Sequence, residues 1–237
     1  MNNLVTDPVI AAHHPSKYLG TFGMFWVTFL LLAIYTAPKT FSIGSVVFSV
    51  SILAYPFTYI FADIFTEVYG YRVTRKIIWS GFGCIIVASL ITYLYSIVPP
   101  SGSYPHDEAF NLIFRIGPVL TFAIICSFFS GELTNSFVLA KMKILTGGSM
   151  AGVRYIGSTL AGQFVDNTIF FTFVYVMSGV FASNELIPII ASSVAFTTGW
   201  EILMLPLTYK IIRFIKHKEG LDAYDHGTNF NPFLWKQ

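Results

Sequence analysis

Charge is what this chain has least of. Only 11% of its 237 residues are Asp, Glu, Lys or Arg, where a soluble domain carries roughly a quarter, so an ordinary water-soluble globule is excluded. Cysteine is nearly missing. Cys84 and Cys126 both lie in apolar stretches, which implies neither a disulfide framework nor a metal site. His13, His14, His106, His217 and His226 all fall outside the apolar runs. That removes an intramembrane HExxH metal site and any histidine able to activate a serine within the membrane. Neither a P-loop nor a Rossmann fingerprint occurs, so the chain does not itself couple to ATP. It reads as no enzyme, with no cofactor and no metal. The first eighteen residues lack a compact apolar core and a small-residue cleavage site, so no cleaved signal peptide is expected.

Hydrophobic residues are abundant, at 54% of the chain. Stretches long enough to cross a bilayer, about 20 residues each, recur near 19–37, 43–67, 77–98, 115–139, 153–181 and 186–213. The fold class expected is an all-α integral membrane protein with six transmembrane helices. Arg72, Arg75 and Lys76 follow the second stretch, Lys141, Lys143 and Arg154 lie between the fourth and fifth, and Lys210, Arg213, Lys216 and Lys218 follow the sixth. The alternate loops are poor in positive charge, which puts both termini in the cytoplasm. The expected organisation is a cytoplasmic N-terminal segment 1–18, a six-helix domain 19–215 and a cytoplasmic tail 216–237. Membrane lipid is the expected surrounding. The clustering of basic residues in short loops is a topology signal, so no nucleic acid is expected as a partner. A homodimer is compatible with so small a unit, although no residue demands one.

The informative residues are charges placed where they are expensive. Glu132, Asp166 and Glu201 fall near mid-membrane, each at a cost of roughly 2.5–3.5 kcal/mol on insertion scales, and none has a base at similar depth on its own span. Such a carboxylate must take a proton or meet a donor or cation from elsewhere. Polar neighbours stand at helical spacing around the same points: Asn135 after Glu132, with Gln163 and Asn167 flanking Asp166. Gly131 and Gly162 would let another helix or a ligand come close. A polar pocket lined from three or more helices is expected, with Trp200 among the aromatics available to stack on a planar ligand. Asp63 and Glu67, one helical turn apart at the end of the second stretch, read as a cytoplasmic-side gate. They would pair with Arg72 or Arg75.

"ADIFTEVYGYRVTRKIIW" resembles the DxxTExYG signature of the queuosine precursor transporter family, also called the vitamin-uptake-like transporter family. "GELTNSFVLAKMK", "GQFVDNTIFF", "WEILMLPLTY" and "YDHGTNFNPF" resemble its members in the same order, so the likeness covers roughly residues 20–233. The resemblance implies a six-helix transporter similar in fold to the substrate-binding components of energy-coupling-factor vitamin importers. It also implies a small-molecule deazaguanine substrate, namely a queuosine precursor (preQ0 or preQ1) or queuine, taken up across the inner membrane. Carried over by motif are Asp63, Thr66, Glu67, Tyr69, Gly70, Glu132, Asn135, Gln163, Asp166 and Glu201. Many members have Lys one turn before the last glutamate, where this chain has Thr197. Two alternatives are a binding component needing a separate energising module, and a transporter of another purine-like or vitamin-like solute.

Overall fold

The computed structural model describes residues 4–37, 39–43, 46–115, 118–178 and 186–234. The chain runs α1 (Pro8–His13), α2 (Leu19–Thr36), a hairpin of β1 (Thr40–Ile43) and β2 (Val46–Ser49), and a 3-10 turn (Val50–Leu53). Then come α3 (Tyr55–Tyr69), α4 (Tyr71–Ser96), α5 (Asp107–Phe114), α6 (Pro118–Leu145), α7 (Ala151–Ser178) and α8 (Leu186–Glu219). Among the described residues, four helices are long and apolar enough to cross a membrane: α2, α4, most of α6, and α8. Their outer faces carry large exposed apolar side chains, Phe25, Val87, Leu90, Leu203 and Leu207 among them, as lipid contact requires. The end of the expected span 153–181 beyond Ser178 lies outside the described residues, as does Glu185.

The described chain is all-α in class, as expected, with two local corrections. The start of the expected span 43–67 is not helix but a two-stranded hairpin pairing Thr40 with Ser49 and Phe41 with Phe48. Its β-branched and aromatic residues suit a strand as well as they suit lipid, and hydropathy does not tell the two apart. Consequently α3 has only 15 residues, about 22 Å of helix against a hydrocarbon core of about 30 Å. The other correction is at Gly70, which sits at φ +83° between α3 and α4 and lets α4 begin at once at Tyr71. Arg72 and Arg75 are therefore buried helix residues and not part of a loop.

Helix α3 is the centre of the bundle. It lies against α2, α4, α6 and α8, and nearly every residue of it is buried. Trp26 of α2 is fully buried beside it and donates its indole N–H to the Thr58 carbonyl at 3.2 Å. The most extensive helix pair is α6 with α7, and glycine makes it so close. A Cβ on Gly131 would stand 2.6 Å from the Asp166 Cβ and 3.1 Å from the Gly162 carbonyl oxygen. Gly131→Ala is expected to force the two helices apart at about 1–3 kcal/mol, a fall of roughly 2–10 °C in melting temperature. A melting curve like that of the unaltered protein would show that the crossing has room to spare.

Helix α8 continues through residue 216 to Glu219, and the chain beyond it folds back on the bundle. Val5 pairs with Leu221, and the Ala223 N–H donates to the Val68 carbonyl at 3.1 Å. The Tyr71 N–H donates to Asp225 Oδ2 at 2.9 Å. Burial pushes the Asp225 carboxyl above its ordinary range, while the bonds from Tyr71 and Thr228 hold it down. Arg75 donates to the carbonyls of Asn229 and Asn231, and Trp79 to that of Pro232. Glu219 accepts from the N–H groups of Lys17 and Tyr18 and from the Tyr69 hydroxyl, so both terminal segments are fastened at one end of the bundle.

Candidate functional site

Tyr55, Tyr59, Asp63 and Glu67 recur every four residues along α3, which places them on one helical stripe. Around that stripe the structure separates two polar layers of opposite character.

Among the described residues, the first layer holds carboxylates and no base. Asp63, Glu132, Asp166 and Glu201 come from α3, α6, α7 and α8, and their exposures are 1%, 0%, 5% and 3%. Asn135 donates its amide to Asp63 Oδ1 at 2.9 Å. The Tyr55 hydroxyl donates to Asp166 Oδ2, and that of Tyr59 reaches the same oxygen at 3.4 Å. Tyr59 also neighbours Glu132, Asp63 and Glu201, so it is the point on which the acids converge. Glu201 stands beside Asp63 and Thr159, and Thr58 approaches Glu132. Even so, no donor of standard hydrogen-bond geometry reaches either oxygen of Glu132 or Glu201 among the described residues.

The amides complete the layer. Gln163 accepts the Asn167 amide on Oε1 at 2.8 Å, leaving its own Nε2 buried without an acceptor. Among the carboxylates and amides of this layer, the unpartnered buried atoms are both oxygens of Glu132, both of Glu201, Asp63 Oδ2, Asn135 Oδ1 and Gln163 Nε2. Buried polar atoms are paired in the great majority of cases, and an unmet one costs about 1–3 kcal/mol. So many in one place make this layer the candidate site. Six of these atoms are acceptor oxygens and one is an amide donor; among the described residues, the hydroxyls of Ser136, Thr159, Thr168 and Thr198 and the Trp200 indole N–H are unmet on the same helices.

The second layer lies one turn further along α3 and is a closed charge network. Glu67, 2% exposed, accepts from Arg154 Nη1 at 2.5 Å and Nη2 at 3.2 Å, and from Lys216 Nζ at 2.7 Å. Lys143 stands 3.7 Å from it. Lys143 also donates to the Glu67 carbonyl, to Asp222 and to the Ala223 carbonyl. Lys216 meets Asp222 at 2.7 Å. The expected pairing of Asp63 and Glu67 with Arg72 or Arg75 is therefore corrected. Arg75 is turned to the returning chain, and Arg72 Nε is buried without a partner, because α4 leaves Gly70 in a new direction. Thr66, also expected near this point, hydrogen-bonds to Thr74 at 3.3 Å.

Of the residues expected at the site, Glu132, Asn135, Gln163, Asp166, Asn167 and Glu201 fall in or beside the first layer, and Asp63 joins them. Trp200 packs edge-on against Phe57 at 6.2 Å, with its indole N–H buried and unpartnered; the aromatics that reach the acids are Tyr55 and Tyr59. Those two were missed, although the four-residue stripe in "YPFTYIFADIFTE" was there to find them. The bases of the second layer were counted only as loop charges.

Residues 49–211 match the family described as "Putative vitamin uptake transporter". The chain is also 21% identical, over 86% of its length and 89% of the relative's, to a "Probable queuosine precursor transporter" of Bacillus subtilis (strain 168). No solved structure matches. The family match covers more than half of the chain, and on it this multi-pass membrane protein belongs to that family, whose members are transporters and not enzymes.

Proposed function

We propose that the protein imports 7-deazaguanines (preQ0, preQ1 or queuine) across the inner membrane, binding them in the carboxylate layer. The carrying observation is the concentration of unmet buried carboxylate oxygens, two on Glu132, two on Glu201 and one on Asp63. A deazaguanine is its complement, presenting a ring N–H and an exocyclic amine along one edge and a single carbonyl to accept from Gln163. A carboxylate such as Glu132 accepts two parallel N–H bonds in this way. Tyr55 and Tyr59 are the aromatics beside the acids; stacking of a base is worth about 1–3 kcal/mol. The aminomethyl compound and queuine add an ammonium, for which a second carboxylate is available. The name of the Bacillus relative supports the same substrate class.

In this reading the chain crosses six times, with α2, α3 and its preceding hairpin, α4, α6, α7 and α8 as the crossings and both termini cytoplasmic by the positive-inside bias. The Glu67 network then closes the cytoplasmic end, while Asp63 belongs with the substrate residues. The test is thermal stabilisation of the detergent-purified protein by guanine, adenine, both precursors and queuine. Ligand at a hundredfold excess over Kd adds about 2.7 kcal/mol, a rise of roughly 5–10 °C. Deazaguanines should give that rise, and Asp166→Asn and Glu132→Gln should abolish it. Adenine presents an acceptor where deazaguanine has its ring N–H, and should give none. An equal rise with adenine, or one that survives both substitutions, refutes the reading.

A further inference from the structure

We propose that the groove between α1, α2 and α4 holds one anionic phospholipid, with its phosphate at Lys76 and His14 and an acyl chain laid along α2 and α4. The site lies apart from both polar layers and does not depend on what is transported.

The groove is a cavity of about 710 Å³, within the range of about 300–1,000 Å³ usual for ligand sites. Its walls are apolar: Val27 on α2, Val73 and Ile77 on α4, and Ala11 and Ala12 of α1 on the third side. Exposed Met24 and Cys84 line it as well, so it is open laterally. Both α2 and α4 are long and apolar enough to cross the membrane, and an open groove between two such helices meets acyl chains. Leu19 and Thr28 stand about 14 Å apart along α2, and Lys76 and Cys84 about 12 Å apart along α4. One leaflet supplies about 15 Å of the hydrocarbon core, so the groove matches a chain of one leaflet.

Gly20 and Gly23 line the same groove. Glycine inside a helix is unfavourable relative to alanine, and Gly131 and Gly162 have their reason in the α6–α7 crossing. A Cβ on Gly20 or Gly23 would meet no neighbour within 4 Å. No protein contact accounts for them, whereas a ligand lying close against the α2 backbone does.

Charge selects the headgroup. The lining includes Lys76 and His14 and, among the described residues, no acid. The Lys76 ammonium makes no ion pair among the described residues, and His14 Nδ1 is buried without a hydrogen-bond partner. Phosphate oxygens accept from both. A zwitterionic lipid brings a cation of its own to a place that already holds Lys76, so the anionic lipid is favoured. Both residues stand at the end where α2 and α4 begin, which is the cytoplasmic leaflet in the orientation given above. Tyr69 also lines the groove, and its hydroxyl donates to Glu219, which fastens Lys17 and Tyr18. A lipid seated here covers the joint between the two terminal segments and stabilises the fold.

The test uses delipidated full-length protein in detergent, with phosphatidylglycerol and phosphatidylcholine of identical acyl chains, and glycerol phosphate as a headgroup without chains. Native mass spectrometry should show one phosphatidylglycerol retained per chain and little phosphatidylcholine. At a hundredfold excess of phosphatidylglycerol over Kd the melting temperature should rise by roughly 5–10 °C. Gly23→Leu fills open space, so it should fold normally and retain no lipid. Lys76→Glu, at an exposed position, should remove the preference for the anionic lipid. Equal retention of the two lipids by the unaltered protein overturns the headgroup assignment, and retention unchanged in both variants overturns the site. Stabilisation by glycerol phosphate as large as that by the whole lipid overturns the acyl chain. If Gly23→Leu does not fold, Lys76→Glu decides.

Discussion

Glu67→Ala is expected to lower the melting temperature by about 10 °C or more, the largest effect of any single substitution in the core. Removing one partner of a buried ion pair costs about 3–5 kcal/mol, equivalent to roughly 6–20 °C for a chain of this size. Glu67 holds more than one pair, because Arg154, Lys216 and Lys143 all surround it. Without its carboxylate, Lys143 and Lys216 share the single acid Asp222. Arg154, at 1% exposure, would keep only the carbonyls of Gly148 and Ser149. Asp63→Asn, by comparison, disturbs one amide bond, worth about 1 kcal/mol. The discriminating measurement is a double-substitution cycle. Glu67→Gln combined with Arg154→Met removes a charge of each sign and should recover much of the lost stability. Strictly additive losses would show that the network is not a unit.

The same residues show what the sequence made legible. Apolar runs bounded by charge announced α2, α4, α6 and α8 because hydropathy measures the lipid-facing surface directly. The carboxylates were legible for a related reason: an acid in an apolar run has no cheap explanation. Tyr55 and Tyr59 carry no such flag, since tyrosine is ordinary in membrane helices and only its four-residue spacing from Asp63 tells. The partners of Glu67 were hidden by distance along the chain. Arg154 is 87 residues away and Lys216 is 149, and both sit where topology alone accounts for a base. The hairpin was masked because "TFSIGSVVFSVS" satisfies strand and membrane preferences alike.

Least legible of all was the returning chain, and it carries the other large effect expected. Ending the protein after Gly220 should leave it unable to survive extraction in folded form, whereas ending it after His226 should cost only a few degrees. The longer deletion takes Leu221 and Ala223, both fully buried. It also takes Asp222 and the Ala223 carbonyl, two of the three acceptors of Lys143, and the Asp225 carboxylate that meets the Tyr71 N–H. Lys143, at 2% exposure, would then face Arg154 and Lys216 with Glu67 as the only acid left in the network. The shorter deletion removes the carbonyls that accept from Arg75 and Trp79 and uncovers those side chains, so that water takes the carbonyls' place at little cost. Melting curves and limited proteolysis of the two truncations measure the difference. Equal tolerance of both would mean that residues 221–226 are not part of the fold, and that Lys143 is satisfied by Glu67 alone.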